Sequence, residues 1–382
     1  MPPGRLPRSM PGEDLTKADY LHFGGQAIIE GVMMRSPNTF AVACRAPNGE
    51  IVLQAEPLEK TWIGRQKWLM VPFLRGTWAI LDAMTLGVRA MRFAATVQTD
   101  ERYAAAVSES EDLHAVEPAA TGPIPFAAVE PISLGEERAI VDGASGEGAK
   151  GKKSIQDIAI GGTIVFSLAF GLLLFHYVPN IVANAIGGGR HLSDAKTSLI
   201  TEFVKISLFL GYLYLISRMR EIQRVFQYHG AEHKAINALE AREPLDVAHT
   251  RPVTRFHPRC GTSFAAIVFI LGLFVFPFVP RPHTGNGFFD VTLRFLTEIA
   301  VLPFIAGLAY EGLRFAGKFR DTALVKVVFA PGIWTQRLTT AEPDDTQIEV
   351  ALVSLQACID AEEARRAAGI APARDVAASV VS

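Results

Sequence analysis

His229 and His233 stand four residues apart in "FQYHGAEHKAINALE" (226–240), with Glu232 directly before the second ring, and "HPRCGTSF" (257–264) adds His257 and Cys260. Imidazole nitrogen and thiolate sulfur are the donors that zinc favours, whereas magnesium and calcium favour oxygen. On a helix, side chains at i and i+4 share one face with Cβ atoms about 5–6 Å apart, so both rings can reach one ion at about 2.0–2.1 Å. Pro258 and Gly261 favour a tight loop that turns His257 and Cys260 inward. Five of the chain's twelve His and Cys residues, these four and His249, fall between 229 and 260, a concentration that points to zinc or another divalent transition metal. If all four bind, coordination is complete and the site is structural. If His257 or Cys260 stays out, a position is open, and Glu232 can act as general base. His229-x-x-Glu232-His233 also matches the inverted zincin pattern, in which the glutamate has that role.

The element that must carry the two histidines is a helix from Arg218 to Glu240, stopped before Pro244. It sits between apolar segments. Ile158–Gly189 has no charged side chain over 32 positions, and Cys260–Pro280 is nearly as pure. Leu199–Ser217 holds Glu202 and Lys205, three apart and able to pair, and Phe295–Leu313 holds Glu298, Glu311 and Pro303. Each is long enough to cross a bilayer core about 30 Å thick. Basic residues cluster at Lys150–Lys153, at eight positions from Arg218 to Arg259, and after Arg314, while the alternate loops have only Arg190, Lys196, Arg281 and Arg294. By the positive-inside rule, both termini and the His-rich connection face the cytoplasm.

Ahead of the spans, "TFAVACRAPNGEIVLQAEPLE" reads as a hairpin around Pro47-Asn48-Gly49. In "GGQAIIEGVMMR" (24–35), Glu30 is a further possible ligand or an acceptor that orients an imidazole, or else a surface residue on a turn into a sheet. "WLMVPFLRGTWAILDAMTLGVRAMRF" carries Arg75, Asp82 and Arg89 on one stripe, which fits either a helix at the membrane interface or a core helix of a cytosolic portion. Asp100–Ala149 has eleven acids against two arginines, a composition that stays disordered. "DDTQIEVALVSLQACIDAEEARR" is an amphipathic helix opened by a capping box at Asp344 and Gln347.

The organisation expected is thus a mainly α, polytopic membrane helix bundle of about four transmembrane helices, with a small N-terminal β-hairpin/α cytoplasmic portion. Residues 1–22 form a disordered N-terminus, 23–98 the hairpin and amphipathic helix, and 99–153 the acidic linker. Residues 154–330 form the four-span domain, with the cytoplasmic His/Cys connection at 218–262, followed by the C-terminal helix at 331–366 and a frayed tail at 367–382. A net charge of −2 gives no basic field for nucleic acid. Three scattered cysteines, Cys44, Cys260 and Cys358, give no disulfide framework and suit a reducing compartment, and the first 25 residues hold no apolar run of a signal peptide.

"FGGQAIIEGVMMRSP", "PFLRG", "FQYHGAEHKAINALE", "RFHPRCGTSF", "YEGLRFAGK" and "PGIWTQRLTTAEPDDTQIEVA" follow one another from about residue 23 to 356. In these blocks the chain resembles the YqhQ-like bacterial membrane proteins, a domain of unknown function labelled a predicted metal-dependent enzyme. The acidic stretch 100–149 matches no block. The resemblance implies a bacterial inner-membrane protein with a metal centre at these histidines, in contact with membrane lipids. Two functions share that centre: a metal-dependent hydrolase acting on a peptide or lipid-derived substrate at the cytoplasmic leaflet, and a non-catalytic assembly or regulatory factor with a structural metal. Transport ranks last, because the spans offer only Glu202, Lys205, Glu298 and His176 to line a path. Neither a protein partner nor an oligomeric state is legible.

Overall fold

The computed structural model describes residues 23–58, 74–104, 166–167, 169–187, 193–318 and 322–368. The expected disordered N-terminus, the acidic linker beyond residue 104 and the tail beyond 368 lie outside the described residues.

The N-terminal portion is larger than one hairpin. Strands β1 (Gly24–Ile28), β2 (Gly31–Arg35), β3 (Thr39–Arg45) and β4 (Ile51–Pro57) form an antiparallel sheet in sequential order. The expected hairpin is β3–β4, whose turn uses Gly49 at φ +90°. The additional hairpin, β1–β2, turns at Ile29 and Glu30, and Glu30 takes a φ of 51°. This pair escapes pattern reading because β2 and β3 are buried on both faces, which removes the apolar–polar alternation of a half-buried strand.

The helices, in chain order, are α1 (Leu74–Thr99), α2 (Val178–Gly187, continuing a π-helical turn at Leu173–Tyr177), α3 (Asp194–Ile216), α4 (Arg220–Ala241), α5 (Val247–Thr250), α6 (Gly261–Val275), α7 (Gly287–Lys318), α8 (Ala323–Thr339) and α9 (Asp345–Ala367). Helix α1 covers one face of the sheet, packing Leu86, Ala90, Ala94 and Val97 on Ile28, Met33, Phe40 and Val42. Helices α4 and α9 cover the other, where Tyr228, Ala231, Ile236, Ile348, Leu355 and Ile359 meet Val32, Met34, Ala41 and Ala43. The capping box that opens α9 is formed: the Asp344 carboxylate accepts from the Gln347 N–H (2.9 Å), and the Gln347 side chain accepts from the Asp344 N–H (3.0 Å).

Among the described residues, four helices are long and apolar enough to cross a membrane: Ala169–Ile186, Asp194–Ile216, Gly261–Phe278 and Gly287–Leu313. Much of their apolar surface, including Phe203, Leu215, Phe274 and Phe288, points outward. Their ionisable residues point inward and pair. Lys205 Nζ reaches Glu202 Oε1 (2.9 Å), as their spacing allows, and also Glu298 Oε2 (2.7 Å), while Arg294 Nε reaches Glu298 Oε1 (3.1 Å). His176, in the π-helical turn, lies 3.2 Å from Glu298 Oε2. Glu298 is thus the centre of a cluster joining three of these helices.

Besides the Arg45–Glu349 ion pair (2.8 Å) and the Ser354 hydroxyl that donates to the Ala41 carbonyl (3.0 Å), a buried carboxylate fastens the sheet to α9. Glu362 accepts from Ser36 Oγ (2.6 Å), Asn38 N–H (2.8 Å) and Asn38 Nδ2 (2.8 Å), all in or beside the β2–β3 turn. Glu362→Ala removes the acceptor that these three buried donors share and is expected to cost about 3 kcal/mol, whereas Ser36→Ala should cost about 1 kcal/mol. Thermal unfolding of the two variants in detergent measures the difference; equal, negligible shifts in the midpoint would remove this latch from the account.

Candidate metal centre

Helix α4 presents His229 and His233 on one face, with ring centroids 4.4 Å apart. Cys260 stands at the N-cap of α6, so its sulfur arrives from a different element, beside a helix end whose free N–H groups favour negative charge. Ligating atoms of His229, His233 and Cys260 all lie within 4.8 Å of one another. His229 Nε2 is 3.2 Å from Cys260 Sγ.

The orientation of each ring is fixed from behind. Nδ1 of His229 lies 2.7 Å from the Thr339 carbonyl, and Nδ1 of His233 lies 2.6 Å from the Arg255 carbonyl. A carbonyl oxygen can only accept, so both Nδ1 atoms carry a proton, and Nε2 is the atom through which either ring, when neutral, can bind a cation. Metal-ligating histidines are set in this way by outer hydrogen bonds. The carbonyls are brought in by close packing and side-chain clamps. A Cβ on Gly230 would lie 2.1 Å from the Ala341 carbonyl oxygen, so only glycine lets the α8–α9 connection approach α4, where Ala341 N–H donates to Phe226 O (2.8 Å). The loop that carries Arg255 is held by Asn237 Nδ2, which donates to Thr254 O (2.8 Å) and Phe256 O (3.1 Å). Thr262 Oγ1 lies 3.1 Å from Cys260 Sγ and 3.2 Å from Thr339 Oγ1, which links the thiol to α8.

His257 is beside this group but not within it. Its ring centroid is 5.7 Å from that of His233. Nδ1 accepts from the Arg259 N–H (3.3 Å), and Nε2 faces Glu240 Oε1 (3.4 Å), a carboxylate that also pairs with Arg259. Burial drives the His257 imidazolium down to a pKa of about 4, so the ring is neutral and donates from Nε2. Its backbone is clamped by Gln336, whose Oε1 accepts from the His257 N–H (2.9 Å) and whose Nε2 donates to the His257 carbonyl (2.6 Å).

Glu232 is buried, with Oε2 3.5 Å from His233 Nε2. Burial pushes its carboxyl up to about 7, opposed by the nearby His229 and by the Gly25 N–H that donates to it. Strand β1 comes so close at Gly25 that an added Cβ would lie 2.6 Å from Glu232 Cγ. Glu30 is directed elsewhere: Arg224 Nη2 donates to its Oε2 (2.6 Å) and the Tyr228 hydroxyl donates to the same oxygen (3.2 Å), so it fastens the β1–β2 turn to α4. The supporting roles of Gly25, Gly230, Asn237, Gln336 and the two carbonyls went unread in the sequence. Backbone carbonyls carry no residue-type signal, and the side chains involved are remote in sequence from the histidines.

The donor set fits a soft divalent transition metal. Two neutral imidazole nitrogens and a thiol sulfur converge, and the tautomers are already those a ligand needs. Comparison with known proteins places these residues in a family. The model described as "Protein of unknown function (DUF1385)" matches residues 71–361. The "Uncharacterized protein YqhQ" of Bacillus subtilis (strain 168) is 32% identical over 335 residues, covering 87% of this chain and 90% of that protein. No solved structure matches. The matched region contains α4, Cys260 and the connection that supplies the Thr339 carbonyl, and the chain belongs to the DUF1385 family of YqhQ-like proteins.

Proposed function

We propose that this protein is an integral membrane metalloprotein that holds zinc, or another divalent transition metal, on His229, His233 and Cys260 at the cytoplasmic ends of its spans, and that it is a metal-dependent hydrolase. The supporting observation is the convergence of three ligating atoms within 4.8 Å, with both imidazoles locked in the Nε2-free tautomer. Three protein ligands are the number found in catalytic zinc sites, which leave one position for solvent or substrate. When bound, the metal supplies Lewis acidity, polarising a carbonyl or phosphoryl group and easing the ionisation of water. The chain's own contribution is to hold and move a proton. The Glu232 carboxylate lies beside the His233 ligand atom yet outside the three-atom group, and the Gly25 N–H keeps it there. That is the placement of a general base. A peptide or lipid-derived substrate drawn from the cytoplasmic leaflet suits a centre at the ends of apolar helices.

A second function rests on one observation. The His257 ring is 5.7 Å from that of His233, near enough that rotation away from Glu240 would supply a fourth nitrogen. Four protein ligands would make the site structural and the protein a non-catalytic assembly or regulatory factor.

Elemental analysis of purified protein separates these functions. Wild type should carry about one ion per chain, the usual stoichiometry of a mononuclear site, and His229→Ala/His233→Ala should carry none. Cys260→Ala should weaken retention against a chelator by more than about tenfold, exceeding what an outer hydrogen bond contributes. His257→Ala should leave retention unchanged; a loss equal to that of Cys260→Ala would transfer support to the structural site. Equal metal in wild type and the double variant would remove the centre altogether.

Two further substitutions address the proton. Glu232→Gln should keep the metal and abolish the cellular phenotype of the wild-type gene, and Gly25→Ala should reproduce that loss with metal retained, because its Cβ displaces the carboxylate. Full complementation by both variants would sink the hydrolase.

A further inference from the structure

Helix α1 has two apolar faces, and the sheet covers only one. Leu86, Ala90, Ala94 and Val97 are buried against the strands. On the opposite side, Leu81, Met84, Val88 and Met91 are 44%, 62%, 44% and 46% exposed, spaced by three, four and three so that they form one stripe along the helix. Four large side chains in a row on a solvated surface are a liability unless something covers them.

Two observations identify the cover. Helix α1 packs against α7, one of the four helices able to cross a membrane, and α7 itself presents Leu296, Ile299 and Leu302 outward. The stripe therefore belongs to a helix already docked on a span. The charges of α1 complete the pattern. Asp82 is turned to Arg35 (3.3 Å) and Arg89 to Glu56, both on the sheet, so neither interrupts the stripe. Arg92 is exposed on its flank and makes no side-chain bond among the described residues. An apolar stripe bordered by such a guanidinium is the arrangement of a helix lying in a membrane interface, with acyl chains under the apolar side and a lipid phosphate beside the cation.

We propose that the Leu81–Met91 stripe of α1 is a lipid-binding surface, seated in the cytoplasmic leaflet with Arg92 at the level of anionic headgroups. The sheet then lies directly under the membrane with α1 between them, and the sheet is the layer that delivers Gly25 to Glu232. Nothing in the metal centre requires this arrangement, and the proposal holds whether or not the site is catalytic. It does rest on the four apolar helices crossing a bilayer.

The test uses the full chain with Met84→Cys, in which the three native cysteines are all buried. An environment-sensitive fluorophore is attached at position 84, and the protein is reconstituted into phosphatidylcholine–phosphatidylglycerol vesicles. Emission should shift to the blue and be lost to nitroxide-bearing lipids but not to aqueous iodide. A parallel label at Ile299→Cys, which is 49% exposed on α7, reports on the span itself. Lipid quenching at 299 with iodide quenching at 84 overturns the α1 surface and leaves the spans standing. Iodide quenching at both positions overturns membrane insertion as a whole. A disulfide joining two copies of the unlabelled Met84→Cys variant would replace lipid by a second copy of the chain and also overturn the proposal. Arg92→Glu should weaken the quenching at 84 in phosphatidylglycerol-rich vesicles relative to pure phosphatidylcholine; an unchanged ratio would remove the anionic headgroup from the account.

Discussion

Two hydrogen bonds decide what α4 can do. With Nδ1 of His229 on the Thr339 carbonyl and Nδ1 of His233 on the Arg255 carbonyl, Nε2 of His229 faces the Cys260 sulfur at 3.2 Å and Nε2 of His233 lies 3.5 Å from the Glu232 carboxylate. With the opposite tautomers, the same residues at the same positions would offer only N–H groups to that space, and no cation could bind. The acceptors lie on two remote segments, so the cluster exists only if both segments assemble on α4. Successive side chains of α4 do the assembling. Gly230 admits the α8–α9 connection, Lys234 Nζ donates to the Arg251 carbonyl (2.6 Å), and Asn237 gathers the carbonyls of Thr254 and Phe256. One helix thus presents two ligands and positions the backbone that orients them.

Helix α6 joins this centre to the spans and is fixed at both ends. Its first end carries Cys260. At its far end, the Arg294 guanidinium donates to the carbonyls of Val279 (3.0 Å) and Phe276 (3.4 Å) and to Glu298 on its own helix. An apolar surrounding offers no water to an unpaired charge, and Lys205, Glu202, Glu298 and Arg294 are paired both within and between these helices. Here the partners come from α3, α7 and the π-helical turn that precedes α2. Such a cluster restricts how the helices can slide past one another, and through α6 that restriction extends to the height at which Cys260 meets the two histidines.

Most of the fold could be read where a single physical signal dominates. Hydropathy finds the four long apolar helices, though α7 starts at Gly287, earlier than its apolar core suggests, because Asn286 caps it by accepting from the Phe288 N–H (3.0 Å). The Asp344–Gln347 spacing finds the start of α9, and Pro47-Asn48-Gly49 finds the second hairpin. The first hairpin was illegible because burial on both faces erases alternation, and because its turn uses Glu30 at positive φ, where glycine or asparagine would have marked it. Helix α8, with Pro331 inside it, gives no clear pattern either. At the site, residue types and helical spacing point to His229, His233 and Cys260. They cannot separate a loop histidine that turns toward the ion from one that turns toward a carboxylate, since that depends on Glu240, Arg259 and Gln336, which no spacing rule connects to His257.

That distinction bears on function, because His257 determines whether the centre is open or closed. The turn from 257 to 263 behaves as one unit: Gln336 holds both backbone groups of His257, and the same amide donates to Ser263 Oγ (2.7 Å). With its backbone held, the ring can reach a cation only by rotating about its side-chain bonds, giving up the Arg259 N–H and its approach to the nearly buried Glu240 carboxylate, which also pairs with Arg259. No such rearrangement is needed for His229, His233 and Cys260, whose donor atoms already converge. Three possible donor residues thus converge, with a buried carboxylate 3.5 Å from His233 Nε2 and a glycine strand lying against that carboxylate. A purely structural fastener needs no buried acid beside its ligands, since desolvating a carboxyl group there has a cost that a hydrophobic neighbour would avoid. Under the proposed hydrolase, Glu232 and the close approach of Gly25 that accommodates it acquire a role in proton transfer.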